Sequence, residues 1–177
     1  CAATVMVLFT FLPDELCKNA TVALSPAGNA TILPSDVFLG NTDNCAGISP
    51  VSVTPQNFGC ANVGSNTETL TVVNGSGFTS SCNATVTVTD NQSPNAACQN
   101  TSVNLLAGGT ASIAAAQINN GSADNCGIAQ VQVFPNSFTC ANIGANTVTL
   151  TVTDVNGNSS TCTAQVVVND NLPPVAQ

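Results

Sequence analysis

Histidine and arginine are absent from these 177 residues, and Lys18 is the single basic side chain. A Ser–His or Cys–His nucleophile cannot be assembled from such a set, and Lys18 alone offers an amine base, so the chain reads as a non-enzyme. Nine acidic residues against that one lysine give a net charge of −8, which works against electrostatic capture of nucleic acid or anionic lipid. Tryptophan and tyrosine are missing and aromatics make up 4 % of the chain, so the platforms that usually stack on sugars are scarce. No hydrophobic run approaches the roughly 18 residues of a membrane span. The longest, Val5 to Leu12, is interrupted by Thr10 and lacks the flanks of a signal peptide. Only 6 % of residues are charged, and solubility falls to Asn, Thr, Ser and Gly.

Cysteine, by contrast, is plentiful. There are nine, with no C-x-x-C pair and no histidine from which to build a zinc site. Disulfides formed in an oxidising, extracytoplasmic compartment are the natural reading, which places the protein outside the cell, secreted or anchored at its surface.

The cysteines also reveal a repeat. Cys17 and Cys98, and Cys45 and Cys126, stand 81 residues apart; Cys60 and Cys140, and Cys82 and Cys162, stand 80 apart, the difference being the inserted Ala46. Asp43 to Gly64, DNCAGISPVSVTPQNFGCANVG, returns as DNCGIAQVQVFPNSFTCANIG at Asp124 to Gly144. A period of about 80 residues signals tandem units, each small enough to gain from covalent staples. The expected divisions are residues 1–12, the last strand of a preceding module; 13–94, a first full module; and 95–177, a second with its linker. The chain thus reads as a window on a longer array.

Within each module, short runs alternate polar and apolar residues with period two, as in NTVTLTVT and CTAQVVVN, between turns such as Ser25-Pro26-Ala27-Gly28, Asn74-Gly75-Ser76-Gly77 and Val155-Asn156-Gly157-Asn158. About six strands per module, with turn signals every eight to twelve residues or so, predict an all-β fold of tandem Ig-like β-sandwiches arranged end to end. Val131, Val133, Leu150, Val152, Val166 and Val168 are expected to point inward, and Thr147, Thr149 and Thr151 toward water. Ala114 to Ile118 fits a helical turn or an Ala-rich strand equally.

Four cysteines per module allow three pairings. The expected set joins first strand to last, Cys17 with Cys82 and Cys98 with Cys162, and closes a central loop through Cys45 with Cys60 and Cys126 with Cys140. Cys1 then has its partner outside the window.

Taken together, CQNTSVNLLAGGTASI, NNGSADNCGI, FTCANIGANTVTLTVTDVNGNSSTC and VVVNDNLPPVA resemble the hyalin-type (HYR-like), Ig-like repeats of very large Bacteroidota surface proteins, including SprB-like gliding adhesins. The resemblance covers residues 17–177 and implies a module of a filamentous or rod-like adhesin, with neighbouring modules as its partners. One stretch departs from it: VMVLFTFLPDELC at Val5 to Cys17 replaces the polar linker VTVTDNQSPNAAC of Val86 to Cys98. It is either a docking segment or donor strand for a neighbouring subunit, or simply an atypical stretch.

Three further expectations concern ligands. Asp90, Asn91, Asp170 and Asn171 at the junctions offer hard oxygens for calcium, although one carboxylate per junction also fits a plain polar turn before a stiff proline. Asp43 and Asp124, just before Asn-Cys, suit backbone capping. Sequons occur at Asn19, Asn29, Asn74, Asn83, Asn91, Asn100, Asn120 and Asn158. The function expected is a structural rod or spacer in an adhesin or extracellular filament; the alternative is a sandwich that recognises surface carbohydrate.

Overall fold

The computed structural model describes residues 17–40 and 47–174. The chain divides into two compact units, Cys1–Asp90 and Asn91–Gln177. The expected strand at residues 1–12, the departing stretch at 5–16, Cys1, Asp43 and Cys45 lie outside the described residues.

Unit 1 contains β1 (Ala20–Ala23), β2 (Asn29–Thr31), β3 (Ile48–Thr54), β4 (Asn57–Gly59), β5 (Gly64–Asn74) and β6 (Thr79–Thr89). Unit 2 repeats the order as β7 (Thr101–Asn104), β8 (Thr110–Ser112), α1 (Ala115–Ile118), β9 (Ile128–Phe134), β10 (Ser137–Thr139), β11 (Gly144–Asp154) and β12 (Ser159–Asn169). Each unit has a four-stranded sheet, β1-β6-β5-β3 or β7-β12-β11-β9, and a two-stranded one, β2-β4 or β10-β8. The chain is therefore all-β, a tandem of small Ig-like sandwiches.

The period-two pattern of the long strands sets the core. In β11 the burial alternates so that Val148, Leu150 and Val152 are sealed, and in β12 Ala164, Val166 and Val168 answer them. Phe138 from β10 and Ala111 from β8 close the other side, with Leu105, Ile113 and Ile118. Val131 and Val133 are only half-buried, because β9 is the edge strand of its sheet and one flank of each side chain has no neighbouring strand. Ala114 to Ile118 resolves as a helical turn: the Ala114 N–H donates to Gln117 Oε1 at 2.8 Å, and the turn drives Ile118 fully into the core.

The first and last strands of each unit run parallel. In unit 1 Ala20 to Ala23 pair with Val86 to Thr89, and in unit 2 Thr101 to Asn104 pair with Val166 to Asn169. Side chains secure this edge: Asn19 Oδ1 accepts from the Thr85 N–H at 2.9 Å, and Asn100 Oδ1 from the Gln165 N–H at 2.8 Å. Disulfides lock it covalently, Cys17 to Cys82 and Cys98 to Cys162, bridging 65 and 64 residues of sequence.

The loop-closing pair expected between Cys126 and Cys140 does not form. Cys126 is disulfide-bonded elsewhere, and Cys140 carries a free, exposed thiol. Cys126 lies just before β9, whose Ile128 pairs with Asp154 at the far end of β11; Cys140 leads through a 3₁₀ turn into Gly144 at the near end. An eleven-residue strand spans roughly 33 Å at about 3.3 Å per residue, against a Cα separation below about 7 Å in a disulfide. Closeness in sequence misled because β9 and β10 carry the chain the length of the sandwich between the two cysteines. The corresponding pair in unit 1 involves Cys45, outside the described residues; Cys60 is disulfide-bonded.

Candidate functional site: an acidic cluster and a buried carboxyl

The turn that joins β11 to β12 is built on Asp154. Its Oδ1 accepts from the N–H groups of Asn156 and Asn158, both at 2.8 Å, and its Oδ2 from the Asn158 side chain at 2.8 Å. Gly157, with φ of +94°, supplies the left-handed residue that lets this turn close. Asp154 is 2 % exposed. Burial alone would push its carboxyl up, but the hydrogen bonds from the Asn158 side chain and from the backbone of Asn156, Asn158 and Gly157 outweigh it, and Asp154 is held below the usual carboxylate range.

A further carboxylate approaches it within the same unit. Carboxylate oxygens of Asp124 and Asp154, both in unit 2, lie within 4.8 Å of each other. Asp124 reaches this position by capping its own loop, as expected: Oδ2 accepts from the N–H of Cys126 at 2.8 Å and of Gly127 at 3.2 Å. Its Oδ1 is buried and accepts no hydrogen bond. Two carboxylates this close repel one another, and unit 2 contains no basic side chain. The pair's all-oxygen donors match a hard divalent cation.

This grouping differs from the ligand set expected from sequence. Asp90 ends unit 1, and Asp170 and Asn171 are engaged locally: Asp170 Oδ1 accepts from the Leu172 N–H at 3.1 Å, and Asn171 donates to Asn104 Oδ1 at 3.1 Å. The closeness of Asp124 and Asp154 was not legible in the sequence because it arises from strand pairing, with β9 laid against the end of β11. The only advance signal was the recurrence of Asp124 before Asn-Cys.

Among the sequons, Asn74 is excluded as a glycan acceptor in the folded unit. It is 5 % exposed and its Oδ1 caps the β5–β6 turn, accepting from the N–H groups of Ser76 and Phe78. Asn158 spends its amide on Asp154. Asn19, Asn29, Asn83, Asn91, Asn100 and Asn120 are not buried.

Glu68 on β5 is a residue that sequence reading did not mark as core. It is 0 % exposed and neither carboxyl oxygen has a hydrogen-bond partner. It occupies the place held in unit 2 by Val148, also fully buried. Burial in these surroundings raises its pKa.

An exposed aromatic stands on unit 2. Phe134, 79 % exposed, borders a groove of about 440 Å³ with Gln132, Asn136 and Val133. Unit 1 has Thr54 at that place.

No protein-family model and no curated protein matches the chain. Among solved structures it is similar to human mucin-like protocadherin EC1-2, at 14 % identity and a TM-score of 0.42, covering 88 % of this chain and 98 % of that one. Titin domains I67–I69 align at 10 % identity and a TM-score of 0.33, over 89 % of this chain and 65 % of that one. The fibronectin(III)-like modules of Clostridium thermocellum CbhA align at 12 % and 0.32, over 93 % and 97 %. Among the described residues no helix is long and apolar enough to cross a membrane.

Proposed function

We propose that this chain is a structural repeat of a secreted or surface-anchored bacterial adhesin or extracellular filament, serving as a load-bearing rod or spacer and binding calcium through the Asp124 and Asp154 carboxylates of unit 2. The observation that carries this reading is the parallel pairing of first and last strands beside a disulfide, present in both units. Force entering a unit before its first strand and leaving after its last pulls two parallel strands in opposite directions, so their hydrogen bonds are sheared together rather than opened singly. In the oxidised chain the disulfide takes this load ahead of the strand pair, which is sheared only once the bond is reduced. In unit 1 tension crosses from Cys17 to Cys82 and leaves along β6, so the residues between them carry none of it.

Stretching the oxidised 177-residue chain by atomic-force microscopy tests this. The expected record lacks long extensions, and reduction adds about 230 Å per unit, from 65 and 64 residues at ~3.5 Å each. Full-length extension of each unit under oxidising conditions overturns the reading.

A carbohydrate-recognition role is favoured by one observation, the exposed Phe134 beside polar Gln132 and Asn136 on a shallow groove.

A further inference from the structure

Of the eight sequons, one position carries the motif in both units. Asn19 and Asn100 stand 81 residues apart, the spacing of Cys17 and Cys98, so Asn19-Ala20-Thr21 and Asn100-Thr101-Ser102 occupy the same place in units 1 and 2. None of the other six has a sequon at its counterpart; Asn29 answers to Thr110, for example, and Asn83 to Thr163. Between the two copies the middle residue changes from Ala to Thr and the last from Thr to Ser, yet both requirements of the motif persist.

The fold accounts for the asparagine but not for the hydroxyl. Each asparagine immediately precedes the first strand of its unit, and its Oδ1 accepts the N–H at which the parallel ladder ends, from Thr85 at 2.9 Å in unit 1 and from Gln165 at 2.8 Å in unit 2. That bond uses the oxygen alone. Both asparagines are exposed, and among the described residues neither Nδ2 has a hydrogen-bond partner. Thr21 and Ser102 are exposed too, and their hydroxyls bond to no described residue. Serine lacks the branching that suits a strand, so β7 does not call for one at 102. Strands β1 and β7 are also the edges of their sheets among the described residues, which leaves room on one flank. A sugar on Nδ2 replaces one amide hydrogen and leaves Oδ1 to keep its hydrogen bond. Asn74 shows the contrary case, a sequon whose side chain is sealed in the fold.

We infer that Asn19 and Asn100 are N-glycosylation sites, each carrying an oligosaccharide on Nδ2, with Thr21 and Ser102 as the hydroxyl residues that a glycosyltransferase reads. The donor is an oligosaccharide linked to a polyprenyl diphosphate. Nδ2 attacks C1 of its first sugar, the C1–O bond to the diphosphate breaks, polyprenyl diphosphate leaves with the bonding pair, and the displaced amide proton passes to a base of the transferase; nothing is oxidised or reduced. The inference rests on the export of the chain in the proposed function, yet it is read out separately from the stretching experiment. A chain that bears load with bare asparagines keeps the one and loses the other.

The test maps glycopeptides of the native protein, purified from the cells that produce it, by mass spectrometry with electron-transfer fragmentation to locate each sugar. The Asn19 and Asn100 peptides are expected to carry hexose- or hexosamine-containing additions on the asparagine, and the Asn74 peptide none. Thr21→Ala and Ser102→Ala, made in the same cells, leave the asparagines and their bonds to Thr85 and Gln165 in place. Each is expected to lose the addition at its own site and keep it at the other, which controls for folding and export. The inference is overturned if either asparagine is bare in most copies, if the sugar maps to the Thr21 or Ser102 hydroxyl instead, if Asn74 is occupied as fully, or if the alanine variants keep the sugar on the asparagine.

Discussion

Replacing Glu68 by valine is expected to stabilise unit 1 at neutral pH. Glu68 sits on β5 opposite Ala84 of β6, in a strand whose alternate residues Leu70 and Val72 are sealed in the core. Burying a polar group that finds no hydrogen bond costs about 1–3 kcal/mol in folded proteins, and valine also suits a strand better than glutamate. The gain at pH 8 is therefore about 2 kcal/mol, with Val148 as proof that the site accommodates the side chain. The sign of the pH dependence follows from the raised folded-state pKa. The protonated acid is favoured by the fold, so Glu68's share of stability is fully present below the unfolded carboxyl value near ~4.3. It is lost as pH rises from there through the folded value, at no more than ~1.4 kcal/mol per pH unit, and the loss is complete above it. The variant has no such loss, and the stability difference between variant and wild type should grow from pH 4 to pH 8. Urea titration read by hydrogen exchange of peptides from β5 and β6 measures it, with β11 and β12 as internal reference. A difference that stays constant with pH, or a valine variant less stable than wild type at pH 8, would refute the reasoning.

Two more outcomes are expected. Calcium should raise the unfolding temperature of the chain, contributing about 2.7 kcal/mol at a hundredfold excess over its dissociation constant. Asp124→Asn keeps an oxygen for the Cys126 and Gly127 N–H groups while removing a charge, so it should abolish that shift and leave the calcium-free midpoint nearly unchanged. If the carbohydrate reading holds, wild-type chain retained on an immobilised glycan array should lose retention on Phe134→Ala; no retention of wild type, or retention unaffected by the substitution, removes the support that Phe134 gives it.

The strands, their inward faces and the two-unit plan were legible in the chain because each depends on local pattern. NTVTLTVT buries alternate residues whichever strands flank it, and an 80-residue repeat of cysteine, proline and glycine describes the same unit twice. First-to-last bridging was legible too, since Cys17 and Cys98 each precede the first strand of a unit and Cys82 and Cys162 lie in the last. Elsewhere local pattern gave the wrong neighbour or none. Cys126 and Cys140 are close in sequence and far apart in space because a strand and its return connection separate them, whereas Asp124 and Asp154 are far apart in sequence and adjacent because β9 and β11 pair. Glu68 lies in a run of polar residues and is buried because its parity on β5 matches Leu70. Composition and period thus determined that the chain is a pair of disulfide-bearing β units with no histidine- or arginine-based chemistry. Tertiary structure alone decided which carboxylates meet, which cysteine is left over and that the terminal strands run parallel, because those outcomes depend on strand register and direction, set by contacts between residues tens of positions apart.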